Sequence, residues 1–232
     1  MKIVIIHGQN HAGSTCMVAR ELAHKVGGEI REFFLPRDFD EPCLGCYACF
    51  KTDLTHCPHY KKLEPLAAAM REAELLILES PVYVYHATGQ MMSFLDHFAT
   101  WWVVHRPRPE MAKKQAVVIS TAAGAGAKKA AKLIAGNLIN WGIPEVHTYA
   151  AVVNAMRWDM IPPKKKAGIE KDIKKLAHKL SRRKKAHVGV RTRFLFWFYG
   201  GMQKAGWGAS PAEKQYWVEN GWLSGTKPWK EQ

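Results

Sequence analysis

The sequence predicts a doubly wound α/β domain whose five parallel strands run in the order 2-1-3-4-5. Three observations carry that reading. Short apolar runs rich in β-branched residues alternate with amphipathic stretches of helix length through about the first 180 residues. The first and third runs are apolar at nearly every position, as expected of strands covered on both faces. Loops rich in Gly, Pro or hydroxyl residues follow the first, third and fourth runs, where a doubly wound sheet holds its ligands.

The elements follow in order. KIVIIH (2–7) is a buried strand, and after the loop GQNHAGST a helix runs from Ser14 to Val26, closed by Gly27 and Gly28. EIREFFL (29–35) is a second strand. A cysteine-bearing loop comes next, then a helix over 61–73. ELLILES (74–80) is a third strand, halted by Pro81. TGQMMSFLDHFATWW (88–102) has helical periodicity, QAVVIST (115–121) is a fourth strand, and AGAKKAAKLIAGNLINWG (125–142) is a helix closed by Gly142. VHTYAAVV (146–153) is the fifth strand. In the lysine-rich run 163–185, Ile169, Ile173, Leu176 and Leu180 recur at helical spacing. Residues 1–186 thus form the α/β domain. Residues 187–232 break the pattern and form an aromatic-rich extension that packs on the domain or on a partner subunit.

With 232 residues and 47% hydrophobic content, the chain can bury one sizeable core. The net charge of +14 is concentrated in the lysine run, whose apolar stripe marks the lysines as the wet face of a helix. No zinc-finger spacing or RNP-type motif accompanies it, so no nucleic-acid partner is expected. The opening run before His7 is too short for a secretory signal, and no run reaches about eighteen apolar residues. The expectation is a cytoplasmic protein without stable membrane insertion, its thiols kept reduced. Within the extension, FLFWFYGG and its basic flank RTR (191–193) fit a dimer contact, a core helix or a helix lying in a membrane interface. Trp197, Trp207, Trp217, Trp222 and Trp229 resemble interface anchors, and a homodimer or homotetramer is expected.

The loop HGQNHAGST (7–15) is neither a Walker A loop nor GxGxxG. It brings Ser14 and Thr15 to a helix N-terminus, where free N–H groups and the helix dipole favour an anion, with Gln9, Asn10 and His11 able to add hydrogen bonds. That set suits a terminal phosphate; an ordinary N-cap at Ser14 is the other reading. After the third strand, Pro81 is followed by Tyr83 and Tyr85, a floor for a flat aromatic ligand or simple packing. After the fourth, STAAGAGAKK supplies Gly124 and Gly126 for close backbone approach or a plain turn.

Taken together, the first loop, SPVYVYHATGQMMSFLDHF (80–98), HRP (105–107) and STAAGAGAKKAAK resemble the flavodoxin-like NAD(P)H-dependent FMN reductase family over residues 1–155, and the cysteine loop resembles its iron–sulfur flavoprotein branch. The resemblance implies FMN as cofactor. It implies that Gln9, His11, Ser14 and Thr15 hold the phosphate, that Pro81, Val82, Tyr83 and Tyr85 lie along the ring, and that Thr121, Ala122 and Gly124 border its far side. The family loop usually carries Ser-Pro-Arg where this chain has Gln9-Asn10-His11.

The cysteines run Cys43-x2-Cys46-x2-Cys49-x7-Cys57, with Cys16 apart in the first helix as a small buried hydrophobe. Three thiolates at that interval with a fourth beyond are a common way to hold a [4Fe–4S] cluster. Zinc through His56 and His59, or thiols that hold nothing, stay open; a disulfide knot suits the compartment least. The expected function is an FMN-dependent oxidoreductase that takes a hydride from NAD(P)H and passes electrons to a small-molecule acceptor such as a flavin or quinone, by way of a cluster where one is present. No catalytic side chain is required, because the flavin does the chemistry. An electron-transfer or FMN-binding protein without NAD(P)H turnover is the alternative.

Overall fold

The structure, a computed structural model, describes residues 1–182, 187–207 and 210–230. Five strands, β1 (Lys2–His7), β2 (Glu29–Phe34), β3 (Leu75–Glu79), β4 (Gln115–Ala122) and β5 (Glu145–Val152), form one parallel sheet in the order β2-β1-β3-β4-β5, as the sequence predicts. The helices linking or following the strands are α1 (Ser14–Val26), α2 (Ala48–Lys51), α3 (Tyr60–Glu72), α4 (Gly89–Asp96), α5 (Ala127–Asn140) and α6 (Pro163–Ser181). The extension adds α7 (Val190–Ala205) and α8 (Pro211–Glu219).

The strand alternation sorts the core into two layers. Ile3, Ile5, Leu75, Ile77, Val117 and Ile119 pack with the apolar stripes of α1 and α6, including Leu22, Ile169 and Ile173. Val4, Ile6, Leu76, Leu78, Ala116 and Val118 pack on the other face with Leu66 of α3, Phe94 of α4 and Ile134 of α5. The central strands β1, β3 and β4 are therefore dry on both faces, which explains their continuous apolar runs, while the edge strands β2 and β5 are only partly covered. The lysines of α6 occupy its outer side, while Ile169, Ile173, Ala177 and Leu180 are buried. The expected end of that helix near 185, and the domain boundary at 186, lie outside the described residues.

Two elements differ from the sequence reading. The helix expected over 88–102 stops at Asp96, followed by a single tight turn at Ala99–Trp101. The cause is local: the His97 ring Nδ1 lies 3.0 Å from the Ser93 carbonyl, and the His97 and Phe98 N–H groups bond instead to residues three back. The extension, for its part, builds a separate aromatic core that takes in Val103 of the α/β domain. Phe196, Trp217, Trp222 and Val103 are buried together, with Trp229 packed beside them. Burying a side chain such as Phe196 contributes about 1.5–3 kcal/mol. Trp197 and Trp207, by contrast, are exposed. Among the described residues no helix is long and apolar enough to cross a membrane.

Candidate functional site

The carboxyl ends of β1, β3 and β4 converge on one cleft of about 200 Å³. Gln9, His11, Ser14 and Thr15 line it from the first loop, Pro81, Val82 and Tyr83 from the second, and Thr121 and Ala122 from the end of β4. Of the residues named from the sequence, Tyr85 and Gly124 do not line it. Val84 (φ 49°) and Tyr85 (φ 66°) form the corner of a tight hairpin closed by reciprocal hydrogen bonds between Tyr83 and His86, with both side chains projecting into solvent. Gly124 is exposed, with open space where a side chain would stand. Gly13, Ala123, Val153, Ala155 and Met156 complete the lining. The last three follow β5, whose carboxyl end the strand-end rule already marks; no ligand-type side chain in that loop gave a further signal.

Close backbone approach builds the first loop. A Cβ on Gly8 would stand 2.8 Å from the Glu79 carbonyl oxygen, and the Gly8 N–H donates to that same carbonyl over 2.8 Å. The Thr88 hydroxyl donates to the Gly8 carbonyl (2.6 Å). The N-cap is Gly13, not Ser14, and no side chain caps the helix. The first helical bond runs from the Met17 N–H to the Gly13 carbonyl, so the N–H groups of Ser14, Thr15 and Cys16 have no acceptor within the helix. No acidic residue stands in the first turn. This is a cradle for an anion. Two ties fix its neighbours: the Thr15 and Thr121 hydroxyls are 2.7 Å apart, and the Tyr83 hydroxyl donates to Gln9 Oε1 over 2.6 Å.

Beneath the cradle lies a pair the sequence reading missed. His7 Nδ1 and Glu79 Oε1 are 2.9 Å apart, and both side chains are wholly buried. Burial pushes the Glu79 carboxyl above the usual carboxylate range, against the opposing pull of the His7 hydrogen bond. The His7 ring stacks on Phe34 at 4.1 Å. Burial, then the Glu79 carboxylate, pushes the Cys16 thiol up to about 11, so Cys16 is a buried hydrophobe, as its isolation suggested.

A second pocket, of about 170 Å³, shares no residue with the cleft. Cys43, Cys46, Cys49 and Cys57 all line it, with His59, Asp96 and His97. All four are free thiols; Cys43 and Cys46 are exposed and the other two half-buried. Burial, then the neighbouring cysteines, raises the Cys49 thiol; burial raises Cys57 as well. His56 turns away, its ring Nδ1 3.5 Å from Asp53. Among the described residues no three His, Cys, Asp or Glu side chains are gathered closely enough to hold a metal ion. The donor set nonetheless has the chemistry of a cluster site: four cysteines lining one small cavity.

What holds the cysteine helix α2 is a strap the sequence reading did not assign. The Arg106 guanidinium donates to the carbonyls of Cys49 and Thr52, and to that of Phe50 over 3.2 Å. The His105 ring packs edge-on against Phe50 at 5.0 Å. The strap is fixed in turn by the extension. Gln203 donates to the Val104 carbonyl (2.8 Å), the Trp217 indole to that of His105 (2.7 Å) and the Tyr216 hydroxyl to that of Pro107 (2.7 Å), while Glu213 Oε1 meets His105 Nδ1 at 2.8 Å. Burial pushes the Glu213 carboxyl up, but the His105 and Ser210 hydrogen bonds and the nearby His105 and Arg106 charges outweigh it and hold it below the ordinary range.

The five-stranded sheet, with an uncapped helix terminus at its carboxyl edge, defines a flavodoxin-like fold. Residues 1–156 match the NADPH-dependent FMN reductase family, and the chain belongs to that family. Among curated proteins it is similar to iron–sulfur flavoproteins. One from Methanocaldococcus jannaschii is 30% identical over 100 residues, covering 41% of this chain and 51% of the relative. Another, from Methanosarcina thermophila, is 29% identical over 100 residues, with the same shares covered. The chain thus spans about half the length of the curated relatives it matches. Its fold is that of an FMN-dependent NADH-azoreductase from Bacillus anthracis solved with FMN (TM-score 0.57, 12% identity, 78% of this chain and 100% of that one). An NADH:FMN oxidoreductase has the same fold (TM-score 0.53, 20% identity, 78% and 91%).

Proposed function

We propose that the chain is an FMN-dependent oxidoreductase that accepts a hydride from NAD(P)H and passes electrons to a small-molecule acceptor. The observation that carries this is the meeting of three separate loops on one uncapped helix terminus, with an aromatic side chain, Tyr83, beside it. The free N–H groups of α1, with Ser14, Thr15 and His11, bind the FMN phosphate. Pro81, Val82 and Tyr83 orient the ring from one side, and Thr121 and Ala122 border it from the other. Gln9 and Thr15 carry no proton to the reaction; through Tyr83 and Thr121 they hold these loops at fixed spacing. Bound FMN supplies the redox chemistry, exchanging a two-electron donor for one- or two-electron acceptors.

Cys43, Cys46, Cys49 and Cys57 are the residues that would hold a [4Fe–4S] cluster, which supplies one-electron transfer when bound. The relatives named iron–sulfur flavoproteins support that assignment. The strongly basic chain favours anionic nucleotides as reactants over an acidic protein-carrier role. The test is an anaerobic titration of FMN-loaded protein with NADPH and with NADH. Loss of the flavin absorbance with either donor is expected. A protein that binds FMN but is reduced by neither is an electron carrier; one that leaves FMN fluorescence unquenched has no flavin site.

A further inference from the structure

Helix α7 has two unlike faces. Thr192, Phe196, Gly200 and Gln203 are buried. On the other side Val190 is 84% exposed, Phe194 54%, Trp197 70% and Phe198 46%. At about 3.6 residues per turn, Val190, Phe194, Trp197 and Gly201 fall along one line, with Phe198 beside it. The same geometry puts Arg191 on one flank of that line and Arg193 and Lys204 on the other. The aromatics form a ridge: Phe194 is 5.8 Å from Trp197 and 6.0 Å from Phe198, ring centre to ring centre. Trp207, just beyond the helix, is also exposed. A contiguous aromatic ridge of this kind marks a surface that something covers.

We propose that this face of α7 docks on an anionic lipid surface, the helix lying in the plane of the interface. The ridge would enter the boundary between headgroups and acyl chains while Arg191, Arg193 and Lys204 reach lipid phosphates. At roughly 24 Å the helix is long enough for such a bed and too charged to span a bilayer. Charge chooses the occupant. Helix α7 contains no acidic residue, and residues 187–232 contain only Glu213, Glu219 and Glu231. Glu213 is buried against His105. A second copy seated on this ridge would bring arginine against arginine on chains of net charge +14, whereas an anionic membrane turns the same charges into attraction. The ridge shares no residue with the cleft or the cysteine pocket, so the docking stands or falls apart from the flavin reading.

The experiment is flotation of the full chain with phosphatidylcholine vesicles, with and without phosphatidylglycerol, at low and high salt, with tryptophan emission recorded alongside. Binding to the anionic vesicles with a blue-shifted emission is expected, falling about tenfold on neutral vesicles or in high salt. Trp197→Glu, at an exposed position, should abolish it. Arg191→Glu with Arg193→Glu should weaken it about tenfold, and this pair decides the matter if Trp197→Glu does not fold. No flotation of the parent, or flotation indifferent to these variants, overturns the proposal. So does a parent dimer that Trp197→Glu splits while neither form binds vesicles, which would assign the ridge to a second copy.

Discussion

The cleft and the cysteine pocket are held by opposite strategies. The cleft is made by the sheet: its loops leave strand ends, its glycines let backbone touch backbone, and its side chains Gln9, Ser14, Thr15 and Thr121 are buried. The cysteine pocket hangs on a loop between β2 and α3, with two thiols in solvent, and is steadied from outside by Arg106 and His105. Those two residues are in turn fixed by α7 and α8. The first site comes with the fold; the second depends on the extension. An α/β domain with its cleft intact can therefore lack an ordered cysteine pocket.

The largest effect should come from Arg106→Ala, which leaves two carbonyls of the cysteine helix and that of its C-cap Thr52 without this donor. A loss of about 3 kcal/mol is expected. Alkylation of Cys49 in the metal-free protein should accelerate while FMN affinity stays unchanged; mass spectrometry of the labelled thiols separates this from general unfolding. Gly8→Ala sharpens the contrast from the other side. Its Cβ meets the Glu79 carbonyl at 2.8 Å, so about 2 kcal/mol and FMN binding should be lost with thiol reactivity as in the parent. Val84→Asn should act in the opposite sense, since asparagine tolerates the left-handed conformation that valine is held in there. A gain of about 1 kcal/mol is expected, read as a higher Tm with FMN affinity kept.

The smallest effects are those of pH, and the two regions should respond in opposite directions. Glu213 is held below its ordinary range, so its contribution to stability is present at neutral pH and is lost as pH falls through the folded value. Glu79 is raised by burial, so its cost is absent in acid, grows as pH climbs from the unfolded toward the folded value, and is constant above. Thermal unfolding against pH should show Glu213→Gln flattening the acid loss and Glu79→Gln flattening the loss on the rising side. A profile unmoved by both changes would mean that neither carboxyl is titrating as its surroundings dictate.

The sheet was legible because its buried central strands leave continuous apolar runs between helical stretches, and the cleft because strand ends in such a sheet are fixed by connectivity. Gln9, Ser14, Tyr83 and Thr121 could be placed together with no contact information beyond strand order. Tyr85 and Gly124 missed the cleft for a local reason: a hairpin with two left-handed residues turns Tyr85 outward, and backbone torsion of that kind leaves no mark at a Val-Tyr pair. The His7–Glu79 pair escaped because a histidine and a glutamate at the ends of apolar strands look like strand boundaries. Arg106 escaped because it recognises backbone carbonyls, which carry no sequence signature. The extension's aromatics were visible, but nothing in their order separates Trp217, which is buried, from Trp197, which is not.

The claim that the two sites are held independently is tested most directly by anaerobic reconstitution of the parent, Gly8→Ala and Arg106→Ala with FMN, iron and sulfide, followed by measurement of bound flavin, iron and acid-labile sulfide in each. The account predicts a crossed result: both groups in the parent, iron and sulfide without flavin in Gly8→Ala, and flavin without iron in Arg106→Ala. Loss of both groups together in either variant would contradict it, as would a parent that takes up flavin but no iron.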